Sequence, residues 1–323
     1  MTTIVSHTTE ARTKKRPVNL GLLAFLAMVI LLAAAPFLVY PLLVIQILCF
    51  ALFACAFNLL MGFTGLLSFG HAMFYGWSAY IAGHVAIKYG FTPELALLTG
   101  AGSSALLGLV VGGLAIRRQG IYLAMITLAF AQMMYFLAVQ FHGLTGGEDG
   151  LQGIPRHKVF GVIDINSTDR VYWFAFAVFL IAFLAIWRII RSPFGETLKA
   201  IRENEARAIS LGCDTVRYKL VAFVLSAGFS GLAGSLKAIS LQLATLTDVG
   251  WQISGEVVLM TLVGGIGTVF GPVVGAVVVV GLEQMLLGFD DWIPVIYGSV
   301  FVACVMFFRK GILGQIQRAF QEN

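Results

Sequence analysis

The sequence predicts an all-α polytopic membrane protein of about ten transmembrane helices, some short or broken, with an amphipathic helix on the cytoplasmic face. Three observations predict it. Hydrophobic residues make up 59% and charged residues 11% of the 323-residue chain, and the mean hydropathy is +0.90; a soluble domain carries about 25% charged residues. Apolar runs of about twenty residues, the length that crosses a bilayer, recur along the whole chain. Ten of the 37 charged side chains fall in one internal stretch, Arg191 to Leu220 (RSPFGETLKAIRENEARAISLGCDTVRYKL), with oily sequence on both sides.

Residues 1–17, which carry the basic patch Arg12, Lys14, Lys15 and Arg16, read as a cytoplasmic tail. The apolar run from Val18 is longer than a signal-peptide core and another span follows at once, so the first span is expected to stay uncleaved. Spans are expected at 18–38, 40–60, 64–87, 94–116, 120–141, 171–190 and 218–241, followed by an ambiguous block at 254–289 and a last span at 292–308. With the N-terminus inside, seven crossings leave 242–253 outside, whereas Arg309, Lys310 and Arg318 of the 309–323 tail belong inside. The block 254–289 must then cross an even number of times. Its break is GGIGTVFGP, Gly264 to Pro272. Ser254 to Gly265 makes only about 18 Å of helix, against a hydrocarbon core of about 30 Å. Two helices meeting at a glycine turn in the cytoplasmic half are expected, the turn buried in protein or lining a cavity. This arrangement puts 16 of the 21 Lys and Arg on the cytoplasmic side and leaves Lys88, Arg156, Lys158, Arg170 and Lys237 outside, Lys237 snorkelling from the outer end of its helix.

The composition also excludes functions. The basic residues are scattered among loops rather than interleaved with aromatics, which argues against nucleic acid. Cys49, Cys55 and Cys304 fall in apolar spans and Cys213 in the charged stretch, so neither a disulfide framework nor a metal site is expected. No paired acids or nucleophile motif points to an enzyme. No Asp or Glu lies near the middle of the first seven spans, where a secondary transporter carries its coupling ions or protons. Glu256 and Glu283 are placed at helix ends or in a loop.

Within the charged stretch, Ser192 as N-cap and Pro193 at the first helical position start a helix, and Glu196 suits its first turn. Leu198, Ile201, Ala208 and Ile209 recur near helical spacing, charged residues fill the other positions, and Gly212 ends the helix. One short amphipathic helix across the cytoplasmic face is expected. It is either a lipid-anchored loop helix or a docking surface; its mixed charge suits a protein partner. The chain has no GxxxxGK[ST] loop and no Gly-Lys dipeptide, so if transport is driven by ATP the nucleotide sits on another chain.

GFTGLLSFGH (62–71) and GGIGTVFGP (264–272) interrupt apolar stretches with glycines and hydroxyls, as discontinuous transporter helices do. Free N–H groups at a half-helix start could receive a substrate carboxylate. The candidate substrate-pathway residues are Asn58, Thr64, Ser68, His71, Gly264, Gly265 and Thr268, with lone His71 and Asn58 equally readable as structural hydrogen-bonders. GFSGLAG (Gly228, Gly231, Gly234) and Gly108 with Gly112 offer small faces for close helix packing.

Four ordered stretches carry a resemblance: NLLMGFTGLLSFGHAMFYGWSAY (58–80), TGGEDGLQGIP (145–155), SPFGETLKAIRENEARAISLG with the helix after it, and SGEVVLMTLVGGIGTVFGPVVGA (254–276). Over about residues 40–310 the chain resembles permease subunits of branched-chain amino-acid ABC importers. The resemblance implies a membrane permease domain over 18–308, in which 191–217 is the coupling loop that inserts into a cleft of an ATPase subunit. Glu205, Ala206 and Gly212 match the acidic, small and glycine positions of its motif, although Arg207 stands where a second Ala is usual and Gly212 falls one residue late. The implied coupling residues are Glu196, Lys199, Arg202, Glu203, Glu205, Ala206, Arg207 and Gly212. The extracytoplasmic loop 142–170, through Glu148 and Asp149, would face a substrate-binding protein. The resemblance further implies a bacterial inner-membrane location with both termini cytoplasmic, a second permease subunit, lipid as the surrounding solvent, and ATP-Mg held by the partner ATPase, with no cofactor on this chain. Substrates would be branched-chain or other hydrophobic amino acids, and relatives also serve urea, short amides and aromatic acids.

Overall fold

The structure, a computed structural model, describes residues 20–118, 120–161 and 164–286, with isolated positions between 295 and 311. Its helices are α1 (Leu20–Leu38), α2 (Pro41–Thr64), α3 (His71–Tyr89), α4 (Pro93–Ala115), α5 (Ile121–Gln140), α6 (His142–Thr145), α7 (Thr168–Ile190), α8 (Pro193–Glu203), α9 (Glu205–Ser210), α10 (Thr215–Leu241), α11 (Trp251–Gly264) and α12 (Gly271–Met285). Six of them, α1, α2, α4, α5, α7 and α10, are long and apolar enough to cross a membrane. The chain is an all-α polytopic membrane protein. The span expected at 292–308 and the 309–323 tail lie outside the described residues but for a few isolated positions.

The core is organised around α2 and α10. α2 is buried over nearly all its length, and α10 packs against α2, α3 and α4. Small residues permit this closeness, as the glycine pattern predicts. A Cβ on Gly234 would strike the Tyr75 carbonyl of α3, one on Gly231 the Ser104 side chain of α4, and one on Gly108 would lie 2.5 Å from the Ala227 methyl. Apolar helices gain little from burial against one another in lipid, so such close van der Waals approach drives their association. α1 lies at the periphery, joined to α7 by the Tyr172 hydroxyl on the Leu32 carbonyl and by Phe25 against Phe183 and Trp187.

The described part of the block expected at 254–289, to residue 286, holds two short antiparallel helices. α11 and α12, about 21 and 22 Å long at 1.5 Å per residue, meet at 265–270. Gly265 has φ +120°, which a side chain rarely permits. Gly264 and Gly275 let the helices touch backbone to backbone, against Gly271 and Met260 respectively.

Four expectations need correction. The third span does not start at residue 64: α2 runs on to Thr64, residues 65–70 are irregular, and α3 begins at His71. Gly65 ends α2 in the left-handed conformation. The charged segment is two helices rather than one, because Asn204 leaves helical geometry and caps α9, its side chain accepting from the Arg207 amide at 3.0 Å. Lys237 does not snorkel. It is buried against Asp248 in the 3-10 turn Leu246–Val249, with side-chain exposures of 13% and 3%. Glu256 also sits in the second turn of α11 rather than at its end.

At the end of the bundle opposite α8 and α9, residues 142–161 and 164–167 form a cap. It holds α6, a 3-10 turn at Gly147–Asp149 and a two-residue strand β1 (Leu151–Gln152) paired antiparallel with β2 (Leu243–Ala244). Arg156 donates to the Ser240 carbonyl near the end of α10, and its partial burial lowers the guanidinium from its ordinary pKa.

Candidate functional site

Two groups of residues that looked separate in the sequence meet in space. Asn58, buried on α2, donates from Nδ2 to the Thr268 carbonyl at 2.8 Å and accepts at Oδ1 from the Gly267 amide at 3.0 Å. One side-chain amide therefore holds the α11–α12 turn against α2. The turn is braced from within, Thr268 Oγ1 donating to the Gly265 carbonyl at 2.7 Å and accepting from the Gly271 amide at 3.1 Å. One helical turn beyond Asn58, the Gly62 carbonyl accepts from the Arg202 guanidinium of α8. Arg202 also passes Gly65 and Gly267, where an added Cβ would lie 3.2 Å from its Cγ and 3.1 Å from its Nη1 respectively. A cation at the C-terminal end of α2 is favoured by the helix dipole and the unpaired carbonyls there. The charged loop thus touches both irregular segments through one side chain.

The rest of the charged loop divides into inward and outward faces. Leu198, Ile201 and Ala208 are buried, as their spacing predicts. Glu205 turns inward and pairs at 2.6 Å with Lys219 of α10, whose side chain is 5% exposed. Charge reversal at Glu205 or Arg202 would therefore break contacts within the chain. Glu196 and Lys199 pair on the surface at 2.7 Å, and Lys199 lies over the Phe63 ring. Glu203, Ala206, Arg207 and Gly212 are exposed. Ile209, expected on the apolar face, is 56% exposed, and Leu211 beside it is 77% exposed. Leu211 was not among the candidates; its position directly before the stop glycine, on the most charged loop of the chain, was the available signal.

The breaks are less open than the sequence suggests. His71 is fully buried between Ser68 at 3.0 Å from Nδ1 and Ser226 of α10 at 2.9 Å from Nε2, ringed by Phe57, Phe74 and Phe223. Ser226 donates to the Ala56 carbonyl at 2.6 Å, so it accepts from Nε2–H, and Ser68 donates to Nδ1. Three amides around the start of α3 are taken: Phe69 by Thr127 Oγ1, Gly70 by Ser68 Oγ and Ala72 by Ser254 Oγ of α11. Buried N–H groups require partners, and here the chain's own hydroxyls supply them. Thr64 back-bonds to the Leu60 carbonyl. The Ser68–His71–Ser226 relay therefore joins the start of α3 to α10 and α2, Thr127 of α5 and Ser254 of α11 tie in through the Phe69 and Ala72 amides, Thr64 stays within α2, and Gly264, Gly265 and Thr268 shape the turn. Glu148 and Asp149 are exposed on the cap, at the opposite end from the charged loop.

Helices sized for a bilayer, two helices that stop short of it, and a charged loop linked to the turn between them define a multi-pass α-helical membrane protein. A family described as branched-chain amino acid transport system / permease component matches residues 39–309. The chain belongs to that family. It is 28% identical over 278 residues to the high-affinity branched-chain amino acid transport system permease protein LivM of Salmonella typhimurium, and 27% identical over 278 residues to LivM of Escherichia coli. Each alignment covers 79% of this chain and 65% of the relative. The fructose import permease protein FrcC of Rhizobium meliloti is 25% identical over 244 residues, covering 71% of this chain and 66% of that one. No solved structure matches the chain. The family match starts at the end of α1, so α1 adds to a core that begins at α2.

Proposed function

We propose that the chain is the membrane-spanning permease subunit of an ATP-driven importer, forming half of the translocation path for branched-chain or other hydrophobic amino acids. A binding protein delivers the solute to the Glu148–Asp149 face, and a separate ATPase, which holds ATP-Mg, docks on the α8–α9 loop. A second, homologous permease completes the path. The bacterial inner membrane is its location, with both termini in the cytoplasm, which agrees with the excess of Lys and Arg on that side. The similarity to LivM supports the substrate class. The similarity to a fructose permease favours, as a second reading, the same machinery serving a more polar solute, with selectivity set by the binding protein.

The observation that carries this reading is the two-faced loop. Ile209 and Leu211 project apolar surface from a charged segment that also presents Glu203 and Arg207. Exposed apolar side chains rimmed by charge mark protein interfaces. Arg202, itself solvent-exposed, reaches inward with its guanidinium and joins the loop to Gly62 and the α11–α12 turn. A displacement of α8 by the ATPase would move that turn, and hydrolysis would be transmitted with no nucleotide on this chain.

The docking face can be tested without touching the inner one. Ile209→Asp combined with Leu211→Asp is expected to lower copurification of the ATPase at least about tenfold, the scale of losing buried apolar anchors at an interface, while the second permease still copurifies. ATPase retention at the wild-type level would remove the loop from the interface.

A further inference from the structure

We infer that the outer groove between α4, α7 and α10 is a binding site for one phosphatidylethanolamine-class lipid, its acyl chain in the groove and its headgroup between Glu94 and Arg170. The groove encloses about 680 Å³ and its walls are apolar, formed by residues such as Leu98, Trp173, Ala177, Ile181, Ala185 and Phe229. Leu98 and Ile181 are largely exposed, so the groove opens on the lipid-facing surface of the bundle. It is independent of the charged loop and of the α11–α12 turn.

Its dimensions favour an acyl chain over a small solute. From Arg170 to Ala185 it follows α7 for about 22 Å of helix at 1.5 Å per residue. One leaflet of the hydrocarbon core is about 15 Å deep. The groove therefore runs from the headgroup level to beyond one leaflet. Trp173, one turn inside Arg170, sits where indoles mark the membrane interface.

Both ends of the proposed headgroup find complementary charge. Glu94 and Arg170 line the same groove, at the first turns of α4 and α7, yet no ion pair joins them among the described residues. Glu94 Oε1 accepts from the Phe160 amide at 2.9 Å, but Oε2 is shut off from solvent with no donor. A buried carboxylate oxygen without a partner marks a missing donor. Arg170 spends one N–H on the Asp164 carbonyl at 3.1 Å, which leaves others for an anion. An ammonium with N–H groups on Oε2 and a phosphate on Arg170 satisfy both. Ethanolamine supplies those N–H groups; choline, whose nitrogen is quaternary, does not.

The test is native mass spectrometry on the delipidated full chain in detergent, titrated with phosphatidylethanolamine, phosphatidylcholine and phosphatidylglycerol of identical acyl chains. One phosphatidylethanolamine per chain should be held about tenfold more tightly than either of the others, the scale of a hydrogen bond to a charged group. Glu94→Gln, which keeps the acceptor for Phe160, should abolish the preference for ethanolamine over choline. Arg170→Gln should weaken all three lipids, and Ala177→Trp, which fills the open groove, should prevent their retention. Equal retention of the three headgroups by the wild-type chain overturns the proposal, since that describes ordinary annular lipid. So does unchanged phosphatidylethanolamine binding by Glu94→Gln and Ala177→Trp. The outcome does not depend on which solute the chain carries.

Discussion

Arg202→Glu is expected to lower ATP-driven solute import about tenfold to a hundredfold while leaving the ATPase attached. The guanidinium donates to the Gly62 carbonyl at the end of α2 and lies against Gly267 in the α11–α12 turn. A hydrogen bond from a charged donor contributes about 1.5–3 kcal/mol, and about 1.4 kcal/mol is a factor of ten in rate. A carboxylate at that place would instead meet the carbonyl end of the helix dipole. The graded series is informative: Arg202→Lys keeps the cation and should retain most import, Arg202→Gln less, and Arg202→Glu least. The readout is ATP hydrolysed per solute imported by complexes in vesicles, which should rise as the link weakens. If Arg202→Glu imports normally, the link carries nothing. If it releases the ATPase outright, Arg202 belongs to the docking face.

Asp248→Ala should produce the largest loss of stability, about 3–5 kcal/mol, the cost of leaving one member of a buried ion pair without its partner. Asp248 is engaged on both oxygens: Oδ1 meets Lys237, and Oδ2 accepts from the Thr245 amide at 3.1 Å and hydroxyl at 3.0 Å. The pair ties α10 to the 3-10 turn that leads into α11. Lys237→Met in the same chain removes the stranded charge, so the double variant should recover most of the loss. Thermal unfolding of the four proteins in one detergent measures this cycle. A single Asp248→Ala variant as stable as the wild type would show that the pair is not buried in the folded protein.

What could be read from the sequence was what depends on local pattern. Gly264–Pro272 announced the α11–α12 turn because glycine clusters and proline act on backbone geometry within a few residues. Ser192 and Pro193 marked the start of α8, and Ser192 Oγ indeed accepts from the Gly195 amide at 3.4 Å. Asn204 carried an equally local N-cap signal, but the apolar spacing across it suggested one continuous helix. The start of α3 was hidden for a different reason: residues 65–70 are apolar enough to read as membrane span, and hydrogen bonds of Phe69 to Thr127, Gly70 to Ser68 and Leu66 to Leu60 make an irregular segment tolerable there. Contacts between distant residues were not legible at all. Arg202 with Gly62 and Asn58 with Thr268 are joined across 140 and 210 positions. Composition can place a charge on the charged loop but cannot say what it touches, and so Arg202 and Glu205, which contact Gly62 and Lys219, could not be separated from Glu203 and Arg207.

The central claim is that this chain moves solute only when a separate ATPase drives the α8–α9 loop. The most direct measurement is leucine uptake into vesicles containing the purified chain, assayed alone and then with its copurifying ATPase, second permease and binding protein. The account predicts uptake only with the full set and with hydrolysable ATP, and none with an ion gradient alone. Uptake by the chain alone on an ion gradient would contradict it, and the charged loop would then be an ordinary surface helix of a secondary transporter.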